Sequence, residues 1–232
     1  MSFPWGVKMP SHLLYADDVL LFCKGTIKTL RRLKEALSLY ESLSGQHVNW
    51  DKSYMFFGAG IQTRRVTNIL QMMGIKRGTL PFTYLGIPLF KGAPKKIHLR
   101  PIAHKIQSQL SSWKGNTLSM AGRGCLINSV ITSMFIHSFM IYKWPKNLLA
   151  DLNSKIRNFL WTGSIDKRKL ITASWNDCCV PIKEGGLGIK NLSSLNKALL
   201  RKLTWKIMTS DSFVFTFFRD RFSRHTNRGF YT

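Results

Sequence analysis

Acidic residues are scarce in this chain: 11 Asp and Glu face 35 Lys and Arg across 232 residues, a formal net charge of +24. So large an excess sets up a long-range field that attracts polyanions, and nucleic-acid backbone is the commonest of them. A membrane surface or solubility alone would also use such charge, but the basic residues are spread along the chain and interleaved with Trp, Tyr and Phe, which favours nucleic acid. Cysteine is equally sparse. Cys23, Cys125, Cys178 and Cys179 form no C-x-x-C, and the adjacent pair has no His or Cys at metal-ligand spacing, so neither a disulfide framework nor a zinc site is expected. A reduced, intracellular setting in nucleus or cytoplasm follows. Met1 to Lys8 lacks the apolar stretch of a signal peptide. The most apolar run, Leu126 to Tyr142, is interrupted by Asn128, Ser129, Thr132, Ser133, His137 and Ser138 and reads as a buried helix rather than a membrane span. General disorder is excluded by 44% hydrophobic and 12% aromatic residues.

Four residues carry the chemistry. Tyr15-Ala16-Asp17-Asp18 lies between His12-Leu13-Leu14 and Val19-Leu20-Leu21-Phe22, a pattern that predicts two buried strands joined by a tight turn. Adjacent carboxylates at such a tip can hold a divalent metal against a phosphate, as polymerases require. Asp-Asp is also ordinary turn chemistry between core strands.

The rest of the chain falls into two textures. Gly25-Thr26 opens a helix with Ile27, Leu30, Leu33, Leu37 and Tyr40 on one stripe, closed by a left-handed cap at Gly45. Val48 to Phe57 reads as extended, Arg64 to Met73 as a short helix ending at Gly74, and Phe82 to Leu89 as a strand or hairpin edge whose pairing Pro88 ends. Beyond Pro94 helices take over, at about 95–113, 123–142, 147–161 and 191–208. Between the last two lie a lysine-rich stretch, Asp166-Lys-Arg-Lys169, and the glycine cluster Glu184-Gly-Gly-Leu-Gly188. The tail from Asp211 is aromatic and basic.

The strings SHLLYADDVLLFCKG, SGQHVNWDKS, FTYLGIPLF, SSWKGNTLSMAGRGCLINSVI, KWPKN, RNFLWTG and EGGLGIKNLSSLNKALLRKLTWK occur in this order. Together they resemble the C-terminal half of the reverse transcriptase of plant-type non-LTR (LINE) retrotransposons, from about Ser11 to Lys206. The resemblance implies an α+β fold: a partial polymerase palm with a primer-grip strand over 1–92, a mainly helical thumb-like region over 93–163, and a truncated C-terminal connection over 164–232. It implies that Asp17 ligates catalytic Mg²⁺ (or Mn²⁺) with Asp18 in support, and that Lys52 sits near the incoming triphosphate as a general acid. Tyr84, Leu85 and Gly86 resemble the primer grip, and Trp113, Lys114 and Arg123 the thumb surface that tracks an RNA template and DNA primer. A solvated amine at Lys52, an ordinary aromatic strand at Tyr84, a core Trp and a solvated Arg remain open readings of the same residues.

Two-metal nucleotidyl transfer needs octahedral oxygen shells, and one aspartate pair supplies too few ligands. In the family the third carboxylate comes from an earlier palm strand, expected outside this chain together with the fingers; Glu35, Glu41 and Asp51 lie in no matching context. The expectation is a fragment of an RNA-directed DNA polymerase, inactive alone and completed by a fingers and palm segment. The alternative is a non-catalytic, basic RNA- or DNA-binding protein derived from a retroelement.

Overall fold

The computed structural model describes residues 10–222, so the end of the aromatic tail and the N-terminal segment compared with a signal peptide lie outside the described residues. The described residues are mixed, 59% helical and 8% strand, and the chain divides into two compact units. The first groups the residues up to Leu80 with those from Ile207; the second comprises Pro81–Lys206.

In the first unit, β1 (His12–Tyr15) and β2 (Asp18–Leu21) form an antiparallel hairpin. Helix α1 (Ile27–Ser44) begins where the Thr26 hydroxyl accepts from the Thr29 N–H at 3.3 Å and ends at Gly45, φ 70°. Both caps are local chemistry: a side-chain acceptor for an orphan N–H, and a residue without Cβ in left-handed backbone. A single 3₁₀ turn, Trp50–Lys52, leads into β3 (Tyr54–Met55), which pairs in parallel with β4 (Lys76–Arg77) across α2 (Thr63–Met73). Parallel pairing demands such a crossover. Leu30 from α1 meets Ile69 and Met73 from α2 in a small core flanked by Cys23, Met55, Phe57, Met72 and Ile75. The hairpin strands depart from expectation, for they are not buried: Leu14 is 66% and Val19 52% exposed. Their apolar sequence asks for cover, and among the described residues each strand pairs only with the other.

The second unit opens with another hairpin, β5 (Phe82–Tyr84) and β6 (Ile87–Leu89). Pro88 does not end the pairing but lies inside β6, opposite Thr83. Tyr84 and Ile87 flank the two-residue turn, so the next pair is a non-hydrogen-bonded one and the missing N–H is not required there. Helix α3 (Lys96–Ser112) follows, then a tight turn at Gly115–Thr117. Helix α4 (Met120–Leu126), N-capped by Ser119, runs through a π turn at Ile127–Ile131 into α5 (Thr132–Ile141). After Pro145 comes α6 (Lys146–Thr162), closed by Gly163 at φ 73°. Short α7 (Trp175–Cys178) and a 3₁₀ turn precede α8 (Leu192–Thr209), which crosses the unit boundary; α9 (Phe213–Phe222) ends the described chain.

Helices α3, α5 and α6 share one core. Leu99, Ile106, Leu110, Phe135, Phe139, Leu152, Ile156 and Phe159 are all essentially inaccessible. By length and composition Met120–Ile141, mean hydropathy 1.5 over its most apolar stretch, could cross a membrane; its Ile127, Ile131, Phe135 and Phe139 are instead buried in this core. Asparagines tie the layers. Asn196 of α8, 3% exposed, donates to the carbonyls of Phe139 (3.0 Å) and Tyr142 (2.9 Å) and accepts from the Trp144 N–H (3.0 Å). It thereby satisfies the open C-terminus of α5.

Candidate functional site

The acidic turn is built by the register of the first hairpin. Tyr15 pairs with Asp18, leaving Ala16 and Asp17 as the two loop residues, so Asp17 stands at the tip and Asp18 begins the return strand. Ala16 has φ 51°. Left-handed backbone costs a residue with a Cβ about 1–2 kcal/mol. Among the described residues only one other non-glycine takes positive φ: Leu85, at 50°, followed by Gly86 at 76° in the turn of the second hairpin. The two strained turns are thus the two hairpins singled out from sequence, and strain of this kind collects at functional sites.

Both aspartates are exposed, and neither has an ion-pair partner, the salt bridge found among the described residues being Arg219–Asp211 at 3.6 Å. Lys52 is exposed at the end of the 3₁₀ turn, its backbone N–H donating to Asn49 Oδ1 at 3.1 Å. Glu41 is engaged elsewhere, its Oε1 accepting from the Val48 N–H at 2.7 Å. No group of three or more His, Cys, Asp or Glu side chains able to hold a metal is gathered among the described residues. Two adjacent carboxylates supply too few oxygens for a complete Mg²⁺ shell.

In the second unit, the primer-grip candidates differ in character. Tyr84 is half-buried, Leu85 is 44% exposed at the turn, and a Cβ on Gly86 would meet nothing within 4 Å. The hairpin is anchored by the Tyr142 hydroxyl, which donates to the Pro88 carbonyl at 2.8 Å. Partial burial raises the Tyr142 pKa. Phe90 stacks between this ring and His98, with centroids 4.8 and 4.1 Å away.

The thumb candidates separate. Trp113 is half-buried against Phe159, ring centroids 5.7 Å apart, and joins the edge of the core. Lys114 is exposed on the following turn. Arg123 is half-buried, its Nη1 donating to the Phe159 carbonyl at 3.4 Å while Nε is buried without a partner. That carbonyl also accepts from the Gly163 N–H, so Arg123 serves the C-terminus of α6. The turn bearing Lys114 is pinned because Gly115 packs directly on Gly163.

Sequence reasoning missed a basic cavity of about 200 Å³ in the same unit, lined by Arg157, Asn158, Trp161, Arg168, Lys169, Leu170, Ile171 and Ala173. The signal was present. Arg157 and Trp161 stand four apart on one face of α6, and the lysine-rich stretch follows four residues after that helix ends.

No protein-family model matches the chain. It is 33% identical over 130 residues to an Arabidopsis thaliana protein named for ribonuclease H, covering 56% of this chain and 21% of that protein. It is 25% identical over 178 residues to the uncharacterized 149 kDa protein of transposon TX1 from Xenopus laevis, covering 75% of this chain and 13% of the relative. This second relative is named for a transposon. An uncharacterized mitochondrial protein of Arabidopsis thaliana adds 30% identity over 74 residues, 32% of this chain and 48% of that protein. The matches support a retroelement origin, and the chain spans less than half the length of each of these three relatives.

Proposed function

We propose that this chain is a palm and thumb portion of a non-LTR retrotransposon reverse transcriptase, whose whole enzyme carries out RNA-directed DNA synthesis. The observation that carries the reading is the acidic turn: Asp17 at the tip of a two-residue hairpin loop, Asp18 beside it, and strained Ala16 holding the geometry. An exposed apolar hairpin is what a palm strand pair offers when further strands are to cover it. Asp17 and Asp18 would contribute two of the metal ligands, a carboxylate from another segment completing the set. Lys52 would meet the triphosphate, and Tyr84-Leu85-Gly86 the primer end.

A second reading is supported by the same turn and by the charge of the whole chain. With no third metal-ligating side chain near the pair among the described residues and a charge of +24, the isolated chain is suited to holding nucleic acid without acting on it. Both readings share one requirement: binding of RNA and DNA with little sequence preference and steep salt dependence. Filter binding of single-stranded RNA and of an RNA–DNA duplex between about 50 and 200 mM salt tests it. Affinity falling steeply with salt is expected; salt-independent or absent binding would sink both readings.

A further inference from the structure

The cavity at the end of α6 has no role in the metal turn or the primer grip. Its walls combine three cations, Arg157, Arg168 and Lys169, with the indole of Trp161 and the buried amide of Asn158. Among the described residues none of the three cations has an acidic partner. Trp161 is half-buried, packed on its inner side against the core, so its ring is held rather than free to turn. Asn158 Nδ2 donates to the Ile165 carbonyl at 2.9 Å and ties the loop after α6 to the helix beneath it. The Ser164 N–H donates to Thr162 Oγ1 at 3.1 Å. The loop that delivers Arg168 and Lys169 is therefore fixed at its start. At the rim, Leu170 is wholly exposed, an apolar side chain with nothing over it.

Size and chemistry narrow the occupant. At about 200 Å³ the cavity is below the roughly 300–1,000 Å³ typical of drug-sized ligands. It suits one planar ring or one phosphate group at a time. Unpaired guanidinium and ammonium groups around an aromatic face are the arrangement that grips a single-stranded backbone while a base stacks. A duplex keeps its bases stacked on each other and presents none to the indole.

We propose that this cavity is a binding site for one unstacked nucleotide of a single strand, its phosphate held by Arg157, Arg168 and Lys169 and its base against Trp161. The proposal deepens the nucleic-acid reading and rests on it. The site would fix a strand on the second unit independently of the acidic turn.

The test is salt-dependent binding of an oligothymidylate strand to the full chain. The Arg157→Gln, Arg168→Gln, Lys169→Gln variant is compared with a control that removes equal charge from α1: Lys28→Gln, Arg31→Gln, Arg32→Gln. Three lost phosphate contacts flatten the logarithmic salt slope by about 2 for a single strand, so the wild type's excess affinity shrinks about 20-fold less between 50 and 200 mM salt in the control than in the cavity variant. Trp161→Leu, which keeps an apolar contact with the core, should weaken single-strand binding between about fivefold and a hundredfold while leaving duplex binding unchanged. Equal slope changes in both charge variants, or equal losses of single and double strands in Trp161→Leu, would overturn the cavity as the site. No binding by the wild-type chain would instead remove the broader nucleic-acid reading.

Discussion

Replacing Gly115 with alanine should detach the turn that displays Lys114. A Cβ built on Gly115 meets the Gly163 carbonyl oxygen, with Gly163 Cα and Phe159 Cε2 each 2.7 Å away. Two of the three obstacles are backbone, so no rotamer change relieves the clash; the turn and the end of α6 must part. Overpacking in a rigid setting costs about 1–3 kcal/mol and sometimes more, and with backbone on the opposing side about 3 kcal/mol is expected. For a chain of this size that lowers the melting temperature by about 6–12 °C. Gly124 provides the contrast. Its added Cβ would find Ile189 Cδ1 at 3.7 Å and Leu160 Cδ1 at 3.8 Å, ordinary contacts inside a helix, so Gly124→Ala should gain about 0.5–1 kcal/mol. Urea denaturation followed by circular dichroism would measure both. A Gly115→Ala protein as stable as wild type would refute the contact and the pinned turn with it.

Lys114 and Arg123 should behave differently in nucleic-acid binding. Lys114→Ala removes an exposed cation and should flatten the salt slope by up to about one unit, whereas Arg123→Ala, which removes one of the two donors to the Phe159 carbonyl, should lower thermal stability and leave the slope nearly unchanged. Alkaline pH gives a third test. Burial raises the thiols of Cys23, Cys178 and Cys179 above their ordinary 9.0, so the folded state holds those protons longer than the unfolded one. Their contribution is whole below pH 9.0 and is lost as pH rises through the folded values. The urea midpoint should fall as pH rises above 9.0, less steeply in a Cys23→Ala, Cys178→Ala, Cys179→Ala protein; equal slopes would mean that burial does not hold the thiol protons.

Helix ends were legible because their chemistry is local. Thr26, Gly45 and Gly74 each act within one turn of the helix they bound, and all are found where the sequence pattern puts them. The acidic turn was legible for the same reason. Burial of its strands was not, since short apolar runs such as Val19-Leu20-Leu21-Phe22 say that a surface needs cover and not what supplies it. Pro88 was misread because register, which a proline does not announce, decides whether its missing N–H matters. Asn196 holds groups 52 to 57 residues away, and Gly115 opposes Gly163; such pairings leave no periodic trace. Arg123 shows the limit for charge: composition counts a cation but does not say that its guanidinium turns inward to a helix end.

The central claim is that Asp17 and Asp18 form part of a polymerase metal site. Its most direct test joins the chain, from Ser11 onward, to the fingers and upstream palm of a related reverse transcriptase and follows Mg²⁺-dependent primer extension on an RNA template. The account predicts extension by the fusion, abolished by Asp17→Ala and reduced less by Asp18→Ala. Extension by the fusion that is unchanged in Asp17→Ala would contradict it.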